Sequence, residues 1–172
     1  MERYELGKLV QLAGTLRTRK RMQKVVYLLQ AAGCPLKTRF YLHHYGPYSS
    51  EIAGLTDILV HQGLLSEQPQ GNMAGRQFNY VLTAESDASI RSYEETSGGQ
   101  SSLANLKPFE GLAKELLQHD LQELEYASTI AYFKNQGLSW DEAFEKGCAF
   151  KQIQMQSPVA QQSLGLARRV VR

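Results

Sequence analysis

The side chains able to do chemistry in this chain are few and poorly matched to one another. Four histidines, His43, His44, His61 and His119, stand with two cysteines, Cys34 and Cys148. His43 and His44 are neighbours, so on a strand they face opposite sides and cannot chelate one metal together. No Cys pair, HExxH or Asp-x-Asp run accompanies them, so no metal site is expected. Ser49 or Ser50 could be paired on paper with either histidine as nucleophile and base. There is no Gly-x-Ser-x-Gly elbow, however, and both serines already have a use as helix caps. Gly71 to Gly75 lacks the Lys-Ser/Thr that a phosphate loop requires. Two cysteines are too few for a disulfide framework and read as reduced thiols of a cytoplasmic protein. No catalytic residue and no cofactor is assigned, and a non-enzymatic protein is expected.

Charge and aromatic side chains offer two binding chemistries instead. Arg17, Arg19, Lys20, Arg21 and Lys24 crowd the start of one predicted helix, where positive charge opposes the macrodipole. With Lys37, Arg39 and Arg76 they form a candidate contact to a nucleic-acid backbone. A second predicted helix, after Gly46-Pro47, turns Ser50, Glu51, Gly54, Asp57 and His61 outward if Ile52, Leu55 and Leu59 are buried. That face carries two carboxylates and no Arg or Lys, the wrong sign for reading bases beside phosphates. It suits a partner protein better, with Tyr45, Tyr48, Ser50, Glu51, Asp57 and His61 as the candidate contacts.

The elements that must position these residues follow from periodicity and punctuation. Leu6, Leu9, Val10 and Ala13 predict a first amphipathic helix over 3–14. Thr18 caps a second, from about Arg19 to Ala32, with Met22, Val25, Val26 and Leu29 inward and Gly33 as its stop. Phe40 to Tyr45 has the composition of a strand, and Gly46-Pro47 reads as a turn. The helix after it ends at Gly63, and Leu64–Gln68 and Gln77–Thr83 are two short strands. The Gly-bearing loop 69–76 between them has the character of a wing. Residues 84–102 turn Ser-rich and acidic, and Thr96–Ser102 reads as a flexible linker after a short helix. Pro108, the Asp120/Glu123 and Ser139/Glu142 capping boxes and Ser157-Pro158 then open four helices.

The expected fold is therefore α+β, mostly α. A winged helix-turn-helix domain (1–95) is followed by a linker (96–102) and a small C-terminal helical bundle (103–172). Charge divides along the same line. Residues 1–83 hold ten Lys and Arg against five Asp and Glu, and residues 84–172 hold nine against twelve, a basic front of +5 and an acidic back of −3. An apolar share of 42% and a charged share of 21% are those of an ordinary globular protein, and no apolar run reaches membrane-spanning length.

Three runs resemble the YwgA-like bacterial proteins: Gln23-Lys24-Val25-Val26-Tyr27-Leu28-Leu29, His44-Tyr45-Gly46-Pro47-Tyr48-Ser49 and Gly63-Leu64-Leu65. Leu124 to Tyr132 is similar to a helix in the C-terminal part of those proteins. More remotely, the helix–Tyr-Gly-Pro–helix order over about residues 20–65 is similar to the Panacea-type antitoxin domain of toxin–antitoxin and phage-associated operons. Tyr48 after Gly-Pro departs from that pattern. These motifs are turn, cap and core residues, so the resemblance implies fold and brings no catalytic residue. Together with the acidic face it leads to an antitoxin-like, immunity or phage-defence accessory subunit. Its partner would be a toxin or defence-complex subunit encoded nearby. The alternative is a DNA-binding transcriptional regulator, with RNA and a second copy of the chain as further candidate partners.

Overall fold

A computed structural model describes residues 1–70 and 77–171. The chain runs α1 (Arg3–Ala13), β1 (Leu16–Arg17), α2 (Arg19–Ala31), β2 (Tyr41–His43), β3 (Gly46–Tyr48), α3 (Ser50–His61), β4 (Leu65–Pro69) and β5 (Phe78–Leu82). It continues as α4 (Ala84–Glu94), α5 (Ser97–Leu106), a 3₁₀ turn (Lys107–Phe109), α6 (Glu110–Gln118), α7 (Leu121–Asn135), α8 (Trp140–Lys151) and α9 (Pro158–Val170). The class is α+β and mostly α, as the sequence predicts.

The strands form two small antiparallel sheets, ordered β1-β5-β4 and β2-β3. In the first, Leu16 faces Tyr80, and the β4–β5 ladder runs from Leu65–Leu82 to Pro69–Phe78. Gln70 N–H donates to the Gln77 carbonyl at 2.8 Å. The loop predicted as a wing falls largely on residues 71–76 and so lies outside the described residues.

Helix α2 is the axis of the molecule. Every residue from Met22 to Leu29 is buried, because β3, α6, α7 and α9 pack around it. An amphipathic helix with a wet basic face was expected, and a helix enclosed on all sides is found. Its polar residues consequently need internal partners. Gln23 supplies a matched pair, donating to the Ser49 carbonyl at 2.9 Å and accepting from Ser49 N–H at 2.8 Å.

Two expectations about the backbone are corrected. The reversal after Phe40 lies at His44-Tyr45, and Gly46-Pro47 belongs to β3, with His43 opposite Gly46 and Leu42 opposite Pro47. Gly46 has φ +88°, and a Cβ there would sit 2.5 Å from Thr129 Oγ1 of α7. The glycine lets the hairpin lie on α7, so it serves close approach as well as chain direction. The second correction is the linker. Residues 97–106 are helix, started by the Thr96 hydroxyl accepting from Gly99 N–H at 3.0 Å. Gly99 is buried against α4, where a Cβ would lie 1.8 Å from the Tyr93 carbonyl oxygen. A Ser/Gly stretch is thus used for tight helix crossing. The halves 1–95 and 103–172 also share one continuous core, which joins Val25, Val26, Leu28 and Ile52 to Leu116, Leu124, Ile130 and Leu166.

Candidate functional site

The β2–β3 hairpin and α3 adjoin in sequence and carry all six predicted partner-protein contacts, Tyr45, Tyr48, Ser50, Glu51, Asp57 and His61. Local chemistry builds them. The Ser49 hydroxyl accepts from Ile52 N–H at 3.4 Å to start α3, Glu51 sits in its first turn, and Gly63 (φ +69°) follows its end. Ile52, Thr56 and Leu59 face inward and Leu55 is partly buried. Thr56, missed by the apolar-stripe reading, can be buried because its hydroxyl donates to the Ile52 carbonyl at 2.7 Å. Ser50, Glu51, Gly54, Asp57, Ile58 and His61 are left exposed. On the hairpin, Tyr41 stacks edge-on against Tyr48 at 5.5 Å, and His43 lies 5.6 Å from Tyr48. Tyr45 stands at the turn beside His44, 5.0 Å between rings. Tyr41 (48%), Tyr45 (50%) and Ile58 (45%) are three of the four large exposed apolar side chains among the described residues. Ile58, between Asp57 and the buried Leu59, lies at the edge of the buried stripe and is left wet.

The basic cluster is arranged differently from its reading as a free surface. Arg19 Nε donates to the Tyr80 hydroxyl at 2.6 Å, and its guanidinium also pairs with Glu67 at 3.0 Å and Asp57 at 2.5 Å. The Tyr80 hydroxyl donates to Glu67 at 2.6 Å, and burial pushes that phenol up to about 12. Lys20 pairs with Glu125 at 3.3 Å and lies 4.0 Å from the centre of the Tyr45 ring. Arg21 donates to the carbonyls of Leu117 and His119, closing the end of α6. Lys24 is 1% exposed and donates to the Pro47 carbonyl at 2.7 Å. Its ammonium is held too far inside to contact the phosphate backbone of a nucleic acid lying on the surface. Arg17, Lys37 and Arg39 remain exposed, and Arg76 lies outside the described residues. Asp57, expected to stand free, is tied to Arg19, which also brings a guanidinium beside the α3 face.

Some of the residues screened for catalysis serve the fold, while His43, His44, Ser50 and His61 are exposed. Ser49 is fully buried as the α3 cap. Burial pushes the Cys34 thiol up to about 12 and raises that of Cys148, which disfavours the thiolate either would need as a nucleophile. His119 pairs with Glu115 and Glu123. Among the described residues, no three His, Cys, Asp or Glu side chains gather as metal ligands. No helix among them is long and apolar enough to cross a membrane.

A second polar centre, with no counterpart in the sequence reading, lies beneath the hairpin. Lys151 at the end of α8, only 5% exposed at its side chain, pairs with Glu125 of α7 at 2.5 Å. Lys20 reaches the other oxygen of that carboxylate, and Lys24 lies close by beneath Gly46. These residues come from three helices far apart in the chain, so no local spacing could have announced them.

No protein-family model matches the chain. It is similar to the uncharacterized protein YwgA of Bacillus subtilis (strain 168), 27% identical over 153 residues, which cover 89% of this chain and 86% of that protein. The match spans both halves and supports a YwgA-like family.

Proposed function

We propose that this chain is a non-catalytic, winged-helix interaction protein of the cytoplasm. It would hold a partner protein as an antitoxin-like, immunity or phage-defence accessory subunit. The winged-helix reading is supported by the order α1-β1-α2-α3-β4-β5 with sheet order β1-β5-β4, into which the β2–β3 hairpin is inserted. The observation that carries the partner reading is the concentration of exposed Tyr41, Tyr45 and Ile58 on the hairpin and α3. Tyr supplies large contact area at low entropy cost, and aromatic anchors dominate binding hot spots. Glu51 on the same face adds one carboxylate that would steer a basic partner. The antitoxin-type resemblance, confined to about residues 20–65, covers this surface.

The test is titration calorimetry against the purified product of a neighbouring gene that co-purifies with the chain. Tyr41→Ala with Tyr45→Ala is expected to weaken binding by at least about thirtyfold, as loss of a hot spot of roughly 2 kcal/mol would do. Glu51→Lys should lower the association rate and its salt dependence. Unchanged affinity in the double tyrosine variant rejects this surface. The transcriptional-regulator reading keeps one specific support, the exposed cations Arg17, Lys37 and Arg39. Tight binding of one defined DNA sequence, lost when those three are replaced by Ala, would displace the partner reading. Arg19→Ala is unsuited to that test, because Arg19 ties α2 to Asp57, Glu67 and Tyr80.

A further inference from the structure

Beneath the hairpin the molecule holds more positive charge than it neutralises. Lys20 and Lys151 share one carboxylate, Glu125. Lys24 makes no ion pair among the described residues, and its ammonium donates a single hydrogen bond, to the Pro47 carbonyl. Two of its three N–H donors thus have no protein partner among the described residues, in a residue that is 1% exposed. Three ammonium groups around one carboxylate leave a formal surplus of two charges, and because Lys24 and Lys151 are buried while Lys20 is partly exposed, the buried share costs free energy unless a proton leaves or an anion joins it. Burial, with repulsion from Lys151 and Lys20, lowers Lys24 to about 7, and burial lowers Lys151 as well. A cleft of about 220 Å³ opens beside this centre, between α2, the hairpin and α3. Lys20, Lys24 and Arg19 line it together with His43, Tyr45 and Tyr48.

We propose that this cleft binds a small phosphate-bearing ligand, whose oxyanion takes the unused donors of Lys24 and Lys20. Arg19 is already committed to two carboxylates and a phenol, so the recognition falls to the two lysines. The His43, Tyr45 and Tyr48 rings give the cleft flat apolar walls, which suit the ring of a nucleotide as well as they tolerate bare phosphate. The phosphate chemistry is common to both sources. This inference does not rest on the partner-protein reading, since the cleft could be occupied whether or not the hairpin docks a protein.

Titration calorimetry of the full chain at constant ionic strength tests it, with inorganic phosphate in one arm and adenosine and uridine 5′-monophosphate in the other. Saturable binding is expected in at least one arm, weakened by about tenfold or more in Lys24→Met and in Lys20→Ala. Lys37→Ala, an exposed lysine on a different segment, should bind as the parent does. Equal affinity for phosphate and nucleotides would identify phosphate itself, and tighter nucleotide binding would assign a role to the rings. Should Lys24→Met fail to fold, Lys20→Ala carries the same comparison, because its side chain is partly exposed. No saturable heat in either arm overturns the proposal, as does parental affinity in the folded lysine variants.

Discussion

A lysine enclosed on a fully buried helix can satisfy its charge by losing the proton or by meeting an anion. Without ligand the first route leaves a signature in stability. Lys24 titrates near 7 in the folded chain, against an ordinary value of 10.5. Between those values the unfolded chain holds a proton that the folded chain has released, so stability rises with pH across the window. Below pH 7 both states are protonated and the folded state carries the full penalty of the buried charge. The groups facing Lys24 are Glu125, which favours its charged form, and Lys20 and Lys151, which oppose it. Lys24→Met removes the titration but leaves the stem volume. In phosphate-free buffer the stability advantage of Lys24→Met over the parent is expected to be largest near pH 6. It should shrink by up to about 1 kcal/mol per pH unit as pH rises through the window. Urea unfolding at about pH 6, 8 and 9.5 measures it. A pH-independent difference between the two proteins would mean that Lys24 keeps its proton throughout.

Elements whose ends are set by local chemistry were legible, and elements set by distant contacts were not. The Gly63 stop of α3, the Ser139/Glu142 box of α8 and Ser157-Pro158 at the start of α9 all appear as the sequence predicts, and of the two serines read as caps of α3 it is Ser49 that caps, with Ser50 the first helical residue. Exposure of Ser50, Glu51 and His61 followed from the same periodicity. The ion-pair and hydrogen-bond partners of the Arg19, Lys20 and Arg21 side chains lie between 38 and 105 residues away, so nothing near the cluster reveals that it is spent inside the molecule. Thr96–Ser102 failed for a different reason. Composition reports glycine in the same way whether it serves mobility or contact. Alanine substitution separates the two uses. At Gly98 a Cβ would find Tyr93 Oη at an ordinary 3.8 Å, so Gly98→Ala should stabilise α5 by about 0.5–1 kcal/mol through helix propensity. At Gly99 a Cβ would collide with the α4 backbone, so Gly99→Ala should destabilise by about 1–3 kcal/mol. Thermal or urea unfolding of the two variants decides. Equal effects at the two positions would return this stretch to the role of a linker.

At the scale of the whole molecule, the question is whether the N-terminal half can stand without the helices that follow it. Helix α2 buries Val25, Val26, Tyr27, Leu28 and Leu29 in a core completed by Ala113, Leu116, Leu124, Ala127, Ile130 and Ala131. Tyr27 also packs against Tyr132 at 6.2 Å between rings and accepts a hydrogen bond from Asn135 at 3.2 Å. Removing residues 96–172 would expose that side of α2 to water. Burial of each large apolar side chain contributes roughly 1.5–3 kcal/mol. Losing even a few of these equals the 5–15 kcal/mol net stability typical of a small domain. The hairpin loses support at the same time, because Gly46 rests on Thr129 and Lys20 would lose Glu125. A 1–95 fragment is therefore expected to show partial helical signal in circular dichroism without a cooperative thermal transition, and co-expression with residues 96–172 should restore one. The surface proposed to hold a partner would fail with it, since Tyr45 is placed by a hairpin that α7 supports. A 1–95 fragment that unfolds in a sharp, cooperative transition would instead mean that the N-terminal half carries its own core, with the C-terminal helices docked on a self-sufficient domain.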